Sequence, residues 1–220
     1  MKFPILLPNI FNHPFTYESD LNLKVGDYVV VPFGKSKITG VVWDEFEKKN
    51  NKNFKIRTVL KKLNVTPLKK TTIKFLNWFA EYNIIPMGMT LKLVLLSSNA
   101  IENLQKDVFK IFNNSVGANK IKLSEEQKKS LKKMNFSNEK FRVHVLQGTT
   151  GSGKTMVYFS ALKDVIDKGF QGLILLPEIG LTSQFEKKFL EFFGITPAIW
   201  HSGISKKKKE VIWSGIANGD

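Results

Sequence analysis

The pattern of apolar and polar positions divides the chain into two parts with different periodicity. In residues 1–63, short apolar runs end at glycine-containing turns, as in Tyr28–Phe33 and Ile38–Trp43. Runs that are rich in β-branched and aromatic residues predict strands. Residues 54–63, FKIRTVLKKL, read as one further strand. These runs predict a small antiparallel, barrel-like module.

One helix follows these strands. Thr66 and Pro67 predict its start, as the N-cap and the first helical residue, and Pro86 ends the pattern. The face that we expect to be buried comprises Ile73, Leu76, Phe79 and Tyr82. The first domain is therefore assigned to residues 1–98, mostly β with one helix. Residues 99–120 are polar and mixed, with one short helical pattern, and are assigned to a linker.

From residue 121 to residue 220 helices and strands are predicted to alternate. A helix starts at Ser124, and two more helices stop at Gly169 and Gly194. Short apolar segments, predicted as strands, separate the helices at residues 142–147, 172–176 and 196–200. Buried strands that alternate with helices predict an α/β domain with a parallel sheet.

A phosphate-binding motif lies between the first of these strands and the helix that follows it. Gly148, Gly153, Lys154 and Thr155 match G-x-x-x-x-G-K-[ST]. Glycines allow backbone amides to approach phosphates, the lysine reaches the outer phosphates, and the threonine hydroxyl is a ligand of Mg²⁺. The predicted nucleotide-binding residues are Gly148, Thr149, Thr150, Gly151, Ser152, Gly153, Lys154 and Thr155. Lys154 and Thr155 carry the catalytic role, and ATP with Mg²⁺ is the expected cofactor.

The charge of the chain indicates a nucleic-acid partner, and its lack of cysteine excludes some kinds of site. The formal net charge of +15 favours a polyanion such as nucleic acid. However, 32 of the 34 basic residues are lysines, and Asn, Ile and Phe are abundant, which is also the bias of A/T-rich codons. The chain has no cysteine, so disulfides and a cysteine-ligated zinc site are excluded and a cytoplasmic location is expected. Neither a membrane span nor a signal peptide is predicted.

Several segments resemble the PriA family of bacterial replication-restart helicases. GTTGSGKTMVY (148–158), LILLPEIGLTSQF (173–185) and HSG (201–203) are similar to the first helicase motifs of that family. VGDYVVVPFGK (25–35), ITGVV (38–42) and EYNIIPMG (81–88) resemble its 3′-end DNA-binding domain.

The resemblance implies a RecA-like, superfamily 2 motor domain and an ATP-driven 3′-to-5′ DNA helicase. The implied substrates are stalled forks, the 3′ end of the leading strand and single-stranded DNA. The implied partners are primosome and single-strand-binding proteins, in the cytoplasm at the nucleoid and not at a membrane.

The resemblance also implies roles for individual residues in binding nucleotide or DNA. Several of these residues have a simpler structural interpretation as well. Gln127 would read adenine, but Ser124-x-x-Gln127 is also a capping box. Thr182 could cap a helix, Gly34 suits any tight turn, and a lone His201 is more often structural. The residues implied to contact DNA are Phe15, Thr16, Tyr17, Gly34, Lys35, Glu178, Thr182, His201 and Ser202. Phe15 and Tyr17 could instead be core residues, and the run Lys206–Lys209 could track DNA or form a solvated face.

The chain departs from the family pattern in three ways. The family's usual F-D-Y reads Phe15-Thr16-Tyr17, without the acidic residue. The linker is too short for the usual winged-helix domain. The magnesium-binding acids and the zinc-binding cysteines would lie beyond Asp220, so the motor domain is expected to be truncated and inactive alone. The alternatives are another phosphate-loop enzyme, such as a small kinase, and a DNA-end-binding module with an inert motor.

Overall fold

The computed structural model describes residues 1–44, 56–95, 98–103, 105, 122–134, 141–177 and 182–219. Its contacts divide the chain into two compact units. The first comprises Met1–Val108 with Ser205–Asn218, and the second Phe109–Ile204 with Gly219–Asp220. Within the described ranges, no helix is both long and apolar enough to cross a membrane.

A six-stranded mixed sheet forms the centre of the first unit. Its strands are β1 (Lys2–Leu6), β2 (Phe15–Glu18), β3 (Tyr28–Phe33), β4 (Ser36–Val42), β5 (Arg57–Thr58) and β6 (Lys61–Lys62). They are arranged in the order β5-β2-β1-β4-β3-β6. Strand β5 runs parallel to β2, and the other pairs are antiparallel. The predicted strands at 28–33 and 38–43 are confirmed as β3 and β4.

The sheet curls because its two outermost strands are neighbours in sequence. Only Val59 and Leu60 separate β5 from β6, yet these strands stand at opposite ends of the sheet. The Val59 amide donates to the Glu18 carbonyl and the Leu60 amide to the Val30 carbonyl, each at 2.9 Å. The prediction of one strand over residues 54–63 is therefore wrong. The segment instead crosses from one edge to the other, which produces the curled form.

Both faces of the sheet are buried at β3, where successive side chains point to opposite sides. On β3, Val29 and Val31 join an inner cluster with Ile5 and Tyr17. Tyr28 and Val30 join a second cluster, which packs against the helices.

The helices of that face are α1 (Lys70–Asn83), α2 (Met87–Leu91) and α3 (Ser98–Glu102). The predicted start of α1 at Thr66 and Pro67 is wrong, because the N-cap is Lys69. The Leu68 amide donates to the Gly26 carbonyl at 2.9 Å, and a Cβ at Gly26 would lie 2.2 Å from the Leu68 oxygen. This tertiary contact holds Leu68 against the Gly26 loop, outside the helix.

The predicted buried face of α1 is only partly correct. Ile73, Leu76 and Ala80 are buried, whereas Tyr82 is 73% exposed. Residues turn by about 100° each around a helix, so three steps of three residues bring Tyr82 about 180° from Ile73. Spacings of three and four, which follow the helical period, select Ala80 instead.

The last helix, α7 (Lys206–Asn218), belongs to the first unit. Trp213 packs against the cluster beneath the helices. The Asn218 side chain donates to the Gln105 carbonyl at 2.7 Å, and the Gln105 amide donates to Ser214 Oγ at 3.3 Å. The lysine run Lys206–Lys209 forms the first turn of this helix, while the domain boundaries at 98 and 121 stay predictions.

The second unit contains helices α4 (Glu125–Lys133), α5 (Lys154–Asp167) and α6 (Thr182–Phe193). Four buried phenylalanines pack α5 and α6 into one core, namely Phe159, Phe189, Phe192 and Phe193. The predicted helix start at Ser124 is confirmed, and α6 ends before Gly194, whose φ is 71°.

The three predicted strands of this unit are not formed. Residues 142–147, 172–176 and 196–200 carry no strand hydrogen bonding in the described part of the chain. Phe141, Val143 and Val145 are each more than 70% exposed. A parallel strand is stabilised only by a ladder to its neighbours, so a strand-like pattern cannot by itself produce the sheet. The predicted parallel sheet is therefore absent from the described residues of this unit.

Candidate nucleotide site and DNA-end surface

The phosphate loop ends directly at the start of helix α5. Gly153 is the N-cap residue, with φ 77°, and Gly151 has φ 84°. Both values lie in the left-handed region that glycine adopts without strain. A Cβ at Gly148 would lie 2.7 Å from Ser152 Oγ. The glycines therefore allow a tight loop, and the positive end of α5 lies behind it.

Lys154 is folded back onto this loop. Its ammonium donates to the carbonyl oxygens of Gly148 at 2.6 Å and Thr149 at 2.8 Å. Two carbonyl groups thus hold the cation beside the loop whose backbone would wrap the phosphates. Phosphate oxygens carry negative charge, so they attract the ammonium more strongly than neutral carbonyl oxygens do. A bound triphosphate would draw the ammonium from these carbonyls.

A cavity of about 540 Å³ opens beside the loop. The loop and α5 contribute Thr150, Gly151, Gly153, Lys154, Thr155 and Met156 to its lining. Helix α6 contributes Lys188, Glu191 and Phe192, which the sequence analysis did not identify. Their helical spacing places them on one face, but only the phenylalanine packing of α6 on α5 aims that face at the loop.

The residues of the loop fit a nucleoside triphosphate with bound Mg²⁺. The loop supplies a close backbone approach, Lys154 a cation, and Thr155 a hydroxyl whose oxygen lies 3.3 Å from the Tyr158 hydroxyl. A hydroxyl at this position is the ligand that a phosphate loop contributes to Mg²⁺.

Gln127 reaches this loop from helix α4. Its side-chain Oε1 accepts from the Ser124 backbone amide at 2.9 Å. The backbone amide of Gln127 donates to Ser124 Oγ at 3.2 Å, which completes the capping box. Its Nε2 simultaneously donates to the carbonyl of Ser152 in the loop at 3.2 Å. The capping-box interpretation is thus confirmed, and adenine recognition stays a prediction.

The DNA-end residues form a group around the β3–β4 turn. The Phe15 ring lies 5.3 Å from the Phe33 ring and 5.4 Å from the Phe11 ring, both edge to face. Gly34 follows Phe33 with φ 59°, and a Cβ there would meet nothing within 4 Å. Lys35 is exposed in the same turn. The structure therefore brings the half-buried Phe15 close to the glycine turn, so that both could contact one ligand.

Thr16 and Tyr17 have different environments. Thr16 is exposed on the opposite side of β2 from Phe15. Tyr17 is buried, and its hydroxyl donates to the Pro32 carbonyl at 3.0 Å. Burial raises the pKa of Tyr17, and the nearby charge of Arg57 opposes that effect. Tyr17 thus supports the strand beneath the turn and offers no free ring face.

Three residues at the turn were missed by sequence reasoning. Arg57 donates from Nη1 to the Gly34 carbonyl at 2.8 Å, and Phe11 and His13 complete the aromatic cluster, with the His13 ring 4.9 Å from Phe15. Arg57 is one of only two arginines in the chain, which is a usable signal. Phe11 and His13 lie in an irregular loop without periodicity.

The remaining candidates lie in the second unit. Thr182 is the first residue of α6, and Glu178 lies outside the described residues. His201 Nδ1 accepts from the Gly203 amide at 3.0 Å, in the turn that also contains the exposed Ser202. His201 therefore stabilises this turn, and contact with DNA stays a prediction for these residues.

Two family models match the chain in succession. Residues 4–96 match the 3′DNA-binding domain (3′BD) of PriA, and residues 120–216 match the res subunit of type III restriction enzymes, a helicase-like region. The chain thus belongs to the class of proteins that join a DNA 3′-end-binding domain to a helicase-like segment.

Curated relatives identify the family within this class. The replication restart protein PriA of Rickettsia conorii is 37% identical over 217 residues, which covers 96% of this chain and 32% of the relative. PriA of Rickettsia felis is 36% identical with the same coverage, and PriA of Haemophilus influenzae is 23% identical over 97% of this chain and 39% of the relative. The chain belongs to the PriA family, as its N-terminal part, and spans about a third of these relatives' length.

Proposed function

We propose that this chain supplies the DNA-end-binding and ATP-binding parts of a 3′-to-5′ DNA helicase of replication restart. The observation that carries the proposal is a phosphate loop at a helix start, in a chain whose other unit matches a 3′-end DNA-binding domain. DNA with a free 3′ end, at a fork, is the proposed substrate, and ATP with Mg²⁺ the proposed cofactor. Primosome and single-strand-binding proteins are the proposed partners, in the cytoplasm.

At the nucleotide site the backbone amides of residues 149–153 would bind the phosphates. Lys154 would place its charge on the outer phosphates, and Thr155 would donate one oxygen ligand to Mg²⁺. Magnesium-bound ATP would supply the free energy of phosphoryl transfer. These residues bind and orient the phosphates, which is the main contribution that proteins make to this chemistry.

At the DNA end, Phe15 would present its ring to the terminal base. Stacking on an aromatic side chain stabilises a bound base by about 1 to 3 kcal/mol. Gly34 has no side chain, so a backbone can approach the turn closely, and Lys35 would attract phosphate. The bond from Arg57 to the Gly34 carbonyl keeps the turn in place from the other side.

The test compares forks that differ only at the 3′ end. We expect tighter binding to a fork with a free 3′ hydroxyl than to one with a 3′ phosphate, and a reduced preference in Phe15→Ala. Phe75→Ala is the matched control, because Phe75 is half-exposed on α1 and takes no part in the turn. Equal affinity of the unaltered protein for the two forks would refute recognition of the DNA end.

A second measurement separates a motor from an inert remnant. Lys154→Ala is expected to leave fork binding unchanged and to abolish binding of ATP, because the cation belongs to the phosphate loop. In the full-length protein the same change should abolish DNA-stimulated ATP hydrolysis. Turnover that survives this change would assign hydrolysis to another site. The absence of turnover in the unaltered full-length protein would favour the inert-motor alternative.

A further inference from the structure

Gln127 uses both ends of its side-chain amide at once. Oε1 is held by the Ser124 amide at the start of α4, while Nε2 donates to the Ser152 carbonyl at 3.2 Å. The side chain therefore connects a helix N-terminus to the phosphate loop through two hydrogen bonds of opposite direction.

The carbonyl that Gln127 holds controls an amide of the loop. A trans peptide is planar, so the carbonyl oxygen of Ser152 and the amide hydrogen of Gly153 point in opposite directions. A Ser152 carbonyl turned toward Gln127 directs the Gly153 amide away from it. That amide belongs to the set that would surround the phosphates.

The space at Gly153 is shaped by the same contact. A Cβ at this position would lie 2.3 Å from Gln127 Nε2. Thus Gly153 is required for its left-handed φ and also because the amide of Gln127 occupies the space beside it. The two residues form one packed unit at the start of α5.

We infer that Gln127 is a positioning residue of the phosphate loop, which orients the Gly153 amide for any nucleoside triphosphate, whatever its base. The inference rests on the proposed function, since it concerns the same nucleotide site. It differs from adenine recognition in its consequence. A brace on the loop acts on the triphosphate, so its loss weakens binding of ATP, GTP and tripolyphosphate by one common factor.

Two substitutions remove the brace in different ways. Gln127→Glu keeps an acceptor for the Ser124 amide, as in the usual capping box, but it lacks the donor for the Ser152 carbonyl. Gln127→Met removes the donor without adding charge. Ser124→Ala is the matched control, because it removes a bond of the capping box and leaves the bond to Ser152 available.

Binding of magnesium-bound ATP and GTP and of tripolyphosphate is measured for these variants of the full-length protein. Loss of one hydrogen bond predicts affinities about fivefold lower for all three ligands in Gln127→Met. Gln127→Glu should lose at least as much for all three ligands, because its carboxylate also repels the phosphates. Ser124→Ala should remain within about twofold of the unaltered protein. Hydrogen exchange without ligand should be faster over residues 148–153 in both Gln127 variants.

The possible results separate the inference from the proposal beneath it. A loss confined to ATP would assign Gln127 to adenine and overturn the inference, as would an equal loss in Ser124→Ala. Unchanged affinity and exchange in both Gln127 variants would overturn it as well. If the unaltered protein binds none of the three ligands, the proposed nucleotide site fails, while the exchange measurement without ligand still decides whether Gln127 braces the loop.

Discussion

Replacing Gly153 with alanine tests the geometry of the phosphate loop without a ligand. Alanine at φ 77° costs about 1 to 2 kcal/mol, because its Cβ meets the following carbonyl oxygen. The new Cβ would also lie 2.3 Å from Gln127 Nε2 and displace that side chain. The lost hydrogen bond to Ser152 costs about 1 kcal/mol more. Together these terms lower the free energy of unfolding by about 2 to 3 kcal/mol.

Gly151→Ala is the matched control for this prediction. Gly151 has a similar φ of 84°, but a Cβ there would meet nothing within 4 Å. Gly151→Ala therefore has only the cost of placing alanine at a positive φ. The effect of alanine on the unfolded chain is the same in both variants. Urea unfolding followed by circular dichroism should place Gly153→Ala about 1 kcal/mol below Gly151→Ala.

A double variant makes the reasoning refutable. In a Gln127→Ala background the neighbouring atom is absent, so Gly153→Ala should cost no more than Gly151→Ala. An equal cost of the two glycine substitutions in the unaltered background would contradict the packed contact between Gly153 and Gln127. A difference that persists without the Gln127 amide would assign the cost to some other neighbour.

Three further predictions concern the cavity and the first unit. Lys188→Ala should weaken binding of ATP about threefold in a titration, as expected for an exposed cation near phosphates, while Lys187→Ala, which does not line the cavity, should not. Burial raises the pKa of Tyr28, so the folded state loses this proton at a higher pH than the unfolded state. Stability is then fully present below pH about 10 and falls as the pH rises further, and urea titrations across this range should show a smaller fall in Tyr28→Phe. Asp27→Asn should lower the free energy of unfolding by about 2 kcal/mol, because the buried carboxylate accepts from Lys62 Nζ at 2.6 Å, and unchanged urea unfolding would contradict this.

Local signals predicted the helix ends of the second unit well. Ser124 and Gln127 specify a capping box over four residues, and Gly194 ends α6 with a positive φ. Both features depend on neighbours along the chain alone. The glycine pattern of the phosphate loop is equally local, so its place directly before α5 could be predicted from the sequence.

Long-range contacts defeated the same kind of reasoning elsewhere. Thr66 and Pro67 are good helix-start residues, but the Leu68 amide bonds to Gly26 and the helix begins later. Residues 54–63 have the composition of one strand, yet they are divided between two edges of the sheet. In each case a hydrogen bond to a residue distant in sequence outweighs a preference of less than about 1 kcal/mol per residue.

The sequence alone determined the phosphate loop, the capping box of α4, the positions of β3 and β4, and the resemblance to the PriA family. All of these are encoded in residues that are close together along the chain. The tertiary structure decided that Lys188 and Glu191 line the cavity beside the phosphate loop, that Arg57 holds the Gly34 turn, and that the side-chain amide of Gln127 contacts both a helix start and a loop. Such contacts join residues whose distance in sequence carries no periodic signal, because packing of whole elements brings them together.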